Sequence, residues 1–137
     1  MRCPVSGEEL VIVEIDGIEL DVSIDGHGIW FDAQELQTLF EKSGAPEALH
    51  ELEARLKRLP HPRGPKRQCP RCDRKMWHVA LTDDEDAVVL DACPDNHGLW
   101  FDKGELEQVL ELELSGDDDA LARVRQHLGA FLRSSPD

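Results

Sequence analysis

Apolar and polar residues alternate from Glu9 to Ile15 and from Ile18 to Val22, and again from Met76 to Thr82 and from Ala87 to Ala92. A period of two predicts half-buried β-strands. Asp16-Gly17 joins the first pair as a tight hairpin, because both residues tolerate positive φ, whereas an acidic loop from Thr82 to Ala87 joins the second. After each hairpin a Trp-Phe pair, Trp30-Phe31 or Trp100-Phe101, predicts a short third strand. The period then lengthens. Leu36, Leu39 and Phe40, and later Leu106, Val109 and Leu110, have the three-and-four spacing of one buried helix face. Asp32 with Glu35, and Asp102 with Glu105, give the Asp-x-x-Glu pattern of a capped helix start. A second helix is predicted in each half from Leu49, Leu52, Leu56 and Leu59 and from Leu121, Val124, Leu128 and Phe131, with Pro60 and Pro62 ending the earlier one. Such a stripe serves an internal core or a dimer seam.

The recurrence of this order is itself a pattern. "CPVSGEEL" at 3–10 answers "CPRCDRKM" at 69–76, "HGIWFDAQEL" at 27–36 answers "HGLWFDKGEL" at 97–106, and "SGAPEAL" at 43–49 answers "SGDDDAL" at 115–121. The offset grows from 66 to 70 to 72, so the later stretch carries short insertions, and insertions confined to loops leave a fold intact. The expectation is an α+β protein built as two tandem zinc-ribbon-like β-hairpin units, each followed by two α-helices. One unit spans 1–62 and the other 69–135, with a basic linker at 63–68.

The two halves differ in their chemistry. The cysteines are Cys3, Cys69, Cys72 and Cys93, and Cys-x-x-Cys in a reducing compartment favours metal or redox chemistry over a structural disulfide. Cys69-Pro-Arg-Cys72 and Cys93-Pro-Asp-Asn-His97 flank the later hairpin, whose closure brings three thiolates and one imidazole together. Soft sulfur with imidazole suits Zn²⁺, and four protein ligands leave no position open to substrate. The expectation is one structural Zn²⁺ per chain, held by Cys69, Cys72, Cys93 and His97. Alternatives are a packing role for His97 with Asp95 or His78 completing the shell, iron in place of zinc, and a dithiol centre at Cys69 and Cys72. In the earlier half the matching positions are Cys3, Ser6, Ser23 and His27, too few good ligands for a structural site. A residual metal there would need Cys3, His27 and a carboxylate such as Asp25.

These motifs resemble the transcription-factor-IIB-type zinc finger family of small prokaryotic proteins. The likeness covers 3–42 and 69–110, the first copy having degenerate ligands. The resemblance implies a zinc-ribbon-like fold and metal binding by Cys69, Cys72 and Cys93, and by His97 through a one-residue shift, since the family's closing knuckle reads Cys-Pro-x-Cys-Gly-Gly and Asn96 stands at its fourth cysteine. The family name alone assigns no task to this chain.

Charge narrows the function classes. The net charge of −14 opposes general binding to phosphate backbones. Yet nine basic residues against one acidic residue, Asp73, lie between Arg55 and Lys75. That band is a solvated stretch complemented by the chain's own acidic faces, or a partner-binding patch. There is no His-Glu-x-x-His, phosphate-binding glycine loop or nucleophile elbow, so the expectation is a non-enzyme. No apolar run approaches a membrane span, so a cytoplasmic protein without membrane contact is expected. The leading reading is a protein-protein interaction or regulatory adaptor with an unknown protein partner. The alternative is a transcription-linked or nucleic-acid-binding module that uses the Arg55 to Lys75 band.

Overall fold

A computed structural model describes residues 1–15, 17–61, 63–82, 84–113, 118–120, 122–123 and 126. Within them the alternating runs form strands β1 (Val11–Ile15), β2 (Ile18–Val22), β5 (Trp77–Ala80) and β6 (Val89–Ala92). Each aromatic pair lies in a third strand, β3 (Gly28–Asp32) or β7 (Gly98–Asp102). Three helices are α1 (Ala33–Lys42), α2 (Pro46–Arg55) and α3 (Glu105–Glu113). The stripe at Leu121, Val124, Leu128 and Phe131 lies outside the described residues, as do Asp16, Pro62 and the end of the expected later unit.

All strands join one antiparallel sheet in the order β1-β2-β3-β7-β6-β5-β4, where β4 is Lys57–Arg58. The centre of the sheet is the β3·β7 pair, in register with Trp30 opposite Trp100. Close approach there demands glycine on both strands. A Cβ on Gly28 would lie 2.2 Å from the Phe101 carbonyl oxygen, and one on Gly98 would lie 2.1 Å from that of Phe31.

Period-two alternation gives the sheet two different faces. Ile18, Leu20, Val22, Ile29 and Phe31 from one half, with Val79, Leu90 and Phe101 from the other, meet the buried helix positions in one core. Phe31 and Phe101 pack edge to face across the central pair, with ring centroids 5.8 Å apart. The opposite face carries Trp30 and Trp100 with Cys3, Leu10, Cys69, Met76 and Cys93.

Two local expectations are corrected. The earlier second helix ends at Arg55, and Leu59 is not in it. Leu56 turns extended, and Lys57 and Arg58 pair with Ala80 and Val79 at the far edge of the sheet. A strand edge offers backbone partners that a helix continued toward Pro60 would forgo. The capping pattern is also only half realised. Asp32 occupies the N-cap of α1 without a side-chain cap bond, because its Oδ1 instead accepts from Trp30 Nε1 at 3.0 Å. In the later half Glu105 Oε1 accepts from the Asp102 backbone N–H at 2.7 Å, the reciprocal arm of a capping box.

Candidate metal centre

The knuckles of the later half are short turns closed by backbone bonds. Asp73 N donates to Cys69 O at 2.9 Å and Cys69 N to Arg74 O at 2.8 Å. Across the hairpin Asn96 N donates to Cys93 O at 3.0 Å and Cys93 N to Gly98 O at 3.2 Å. Asp73 and Asn96 take positive φ of 63° and 61°, a conformation that Asp and Asn tolerate better than other non-glycine residues. These turns aim side chains inward. The donor atoms of Cys69, Cys72, Cys93 and His97 all lie within 4.8 Å of one another.

The individual distances suit a small tetrahedral cation. Cys72 Sγ lies 3.6 Å from Cys93 Sγ, and Cys93 Sγ lies 3.3 Å from His97 Nδ1. Tetrahedral Zn²⁺ with ordinary bond lengths would set these separations at about 3.8 and 3.6 Å. All four cysteines are free thiols. Arg71 N approaches Cys69 Sγ and Asp95 N approaches Cys93 Sγ, each at 3.4 Å, so backbone dipoles also favour thiolate. Burial, together with the neighbouring sulfurs, pushes the Cys69 thiol up to about 12. At Cys93 burial acts upward too, but the backbone N–H groups of His97 and Asp95 together with hydrogen bonds from Cys72 and Cys69 bring the net direction down. Three thiolates this close need a positive charge among them, which a dication supplies.

The other candidates for a fourth ligand are engaged elsewhere. Asp95 pairs with Arg74 at 2.7 Å. His78 is buried in β5, where its Nδ1 accepts from Arg63 N at 2.8 Å and its Nε2 lies 3.4 Å from Asp91 Oδ1. Burial lowers its basicity.

The earlier half repeats the backbone geometry with other side chains. Gly7 N donates to Cys3 O at 2.9 Å, Cys3 N to Glu8 O at 2.7 Å, Gly26 N to Ser23 O at 3.0 Å and Ser23 N to Gly28 O at 3.1 Å. Cys3 and Ser23 are buried. Among the described residues, Cys3, Asp25 and His27 do not gather as a cluster of donors. The backbone of His27 has a different task. Its carbonyl accepts from Lys103 N, and that of His97 accepts from Ala33 N, each at 3.0 Å, so each knuckle ties down the entry to the other half's helix.

A second group of carboxylates was legible in the sequence only as matching positions seventy residues apart. Asp21, Asp32 and Glu35 bring their oxygens within 4.8 Å of one another. The corresponding Asp91, Asp102 and Glu105 surround Arg67, which bonds Asp91 Oδ2 at 3.5 Å and Asp102 Oδ1 at closer range. Trp100 Nε1 donates to that same Asp102 oxygen at 2.9 Å, as Trp30 does to Asp32. Burial raises Glu35 to about 8, helped by Asp32, Asp21 and Glu19. Burial likewise raises Glu105 to about 7, and raises Asp91 to about 6 against the pull of Arg67.

The basic band stays mostly exposed, but several of its side chains meet groups of this same chain. Beside Arg67, Arg71 meets Asp32 at 3.3 Å, Arg58 lies 4.4 Å above the Trp77 ring and Arg63 donates to the Asp84 carbonyl at 2.5 Å. No helix among the described residues is long and apolar enough to cross a membrane.

No curated protein and no solved structure matches the chain. Residues 68–112 match the family described as transcription factor zinc-finger, of the transcription-factor-IIB ribbon type, and this segment of the chain is a zinc-ribbon domain with four donors positioned for metal binding.

Proposed function

We propose that the chain is a non-enzymatic zinc-binding adaptor, made of two tandem copies of one ribbon-and-helix unit, that meets a protein partner in the cytoplasm. Cys69, Cys72, Cys93 and His97 hold one Zn²⁺, and the observation that carries this is their convergence within 4.8 Å. Bound there, the ion neutralises the thiolates and cross-links the two knuckles. With four protein donors around it, no position remains for substrate, so the role is structural. The first unit, 1–62, keeps the knuckles but relies on packing. The basic linker at 63–68 leads to the second unit, 69–135, and the matched hydrogen bonds of the two hairpins support the duplication.

Elemental analysis of gently purified protein is expected to find one zinc per chain. Two metals, none, or iron in its place would overturn this assignment. Capture of a protein partner that persists at raised salt is the expected result for the adaptor.

The description of the matched family favours one second reading, a transcription-linked or nucleic-acid module. That reading requires binding that weakens steeply with salt and disappears when Arg67, Arg71 and Arg74 are neutralised. The pairing of these three with Asp91, Asp102, Asp32 and Asp95 weighs against it.

A further inference from the structure

The two outer edges of the sheet are protected unequally. At one end lies β4, only Lys57 and Arg58, and short basic edges resist pairing with further strands. At the other lies β1, from Val11 to Ile15, where Val11 and Ile12 are exposed, Ile12 at 65%. Its backbone is open in the middle. Ser23 N donates to Gly28 O between β2 and β3, so by alternation Ile18, Leu20 and Val22 turn their backbone groups toward β1, where Ile15, Val13 and Val11 face them. The N–H and C=O groups of Ile12 and Glu14 therefore point out of the sheet, whereas the Leu10 N–H is taken by Met1 O at 2.8 Å.

The later half shows what such an edge accepts. By sequence Ile12, Val13 and Glu14 match His78, Val79 and Ala80 of β5, and there the outward side is covered by the chain's own Leu56 to Leu59. Leu59 N donates to His78 O at 2.8 Å, Arg58 stands opposite Val79, and Lys57 stands opposite Ala80. Leu59 is buried and Leu56 packs on the core.

We infer that β1 receives an extended segment of a protein partner, added antiparallel to its open side, whose residues run apolar, basic, any, apolar. Main-chain bonds to Ile12 and Glu14 hold it, and alternate side chains select it. The basic residue takes the place of Lys57 and so stands opposite Glu14. Glu14 in turn lies opposite Glu19 on β2, and like charges so placed repel until a cation joins the row. The last apolar residue takes the place of Leu59 and covers Ile12. A second copy of this chain fits less well, because it brings its own net charge of −14. The inference rests on the adaptor reading and gives the partner its chemistry.

The test uses the full zinc-loaded chain, isotope-labelled for NMR, and the probe acetyl-Arg-Leu-Lys-Arg-Leu-amide, which repeats Arg55 to Leu59. Saturable amide shifts at Ile12 and Glu14, with slowed hydrogen exchange at both, are the expected result. Methylating the backbone nitrogen of the probe's last leucine should abolish them, which separates strand addition from plain attraction of a cation to an acidic protein. Ile12→Pro removes an outward N–H that the sheet does not use, and should abolish binding with zinc content unchanged. Glu14→Lys should weaken the probe about fivefold and favour acetyl-Arg-Leu-Glu-Arg-Leu-amide by a similar factor. Equal binding of the methylated probe, or shifts confined to Val79 and Ala80, would overturn the inference. So would slow exchange at Ile12 and Glu14 in the free protein: if independent of concentration, the chain covers its own edge, and if rising with concentration, a second copy does. If the parent and Ile12→Pro capture a partner equally, the adaptor reading stands and this edge falls. If the probe binds at β1 but no partner is captured, the edge stands and the adaptor reading falls.

Discussion

The turns around Cys3 and Ser23 and those around Cys69 and Cys93 close with matching backbone hydrogen bonds and divide over the side chains that hold them. Around Cys3 and Ser23 the knuckles close on hydrogen bonds and a buried apolar cluster, while around Cys69 and Cys93 four donors converge on one point. The lesson is that a three-stranded ribbon needs its turns tied together, and that a metal is one of several ties. A continuous sheet lets the half without the full ligand set lean on the other half through the β3·β7 pair. Small units gain most from such sharing, because each alone buries too little apolar surface.

The sharpest way to break the comparison is to remove one sulfur from each half. Cys69→Ser, or chelation of the metal, is expected to unfold the second ribbon outright, since structural Zn²⁺ contributes on the order of 10 kcal/mol of folding free energy. Circular dichroism and zinc content should fall together. Cys3→Ser leaves a buried hydroxyl in a packed site and should cost only about 1–2 kcal/mol, read as a shifted urea midpoint. Equal losses from the two variants would sink the asymmetry.

The shared seam comes next in size. Gly98→Ala drives a methyl group toward the Phe31 carbonyl, and Gly28→Ala does the same at Phe101. Each should destabilise by about 3 kcal/mol or more, because the contact is with backbone that has no rotamer to change. Both halves should melt together in either variant, whereas loss of one half alone would argue that they are energetically separate.

The smallest effect concerns Glu35. Burial, then Asp32, Asp21 and Glu19, keep its proton bound up to about pH 8, while an unfolded chain releases it near the ordinary value of 4.5. The bound proton therefore stabilises the folded state fully below that lower value, and its contribution is lost as pH rises toward 8. Glu35→Gln is neutral throughout. Relative to the parent protein it should gain stability between about pH 5 and pH 8, by on the order of 1 kcal/mol after solvent screening is allowed for. Urea midpoints with zinc in excess would check this, the thiol contribution being common to both proteins. A parent-to-variant difference that does not change with pH would show that Glu35 already ionises freely.

The chain's own pattern determined the local elements. Alternation located four hairpin strands, the aromatic pairs located the third strands, and three-and-four spacing located the buried faces of α1 and α3, because each signal follows from backbone periodicity. Cysteine spacing likewise brought out Cys69, Cys72, Cys93 and His97, since a hairpin must return its ends to one place. What only the tertiary structure decided was how the halves meet. The β3·β7 pairing, the return of Lys57 and Arg58 to the far edge, and the pairing of Arg67 with Asp102 and of Arg71 with Asp32 are long-range contacts with no periodic trace. Asp32 shows the reason most plainly. A helix-capping pattern fixes what an aspartate could do locally, but an indole N–H in its own strand and an arginine from the other half decided what it does.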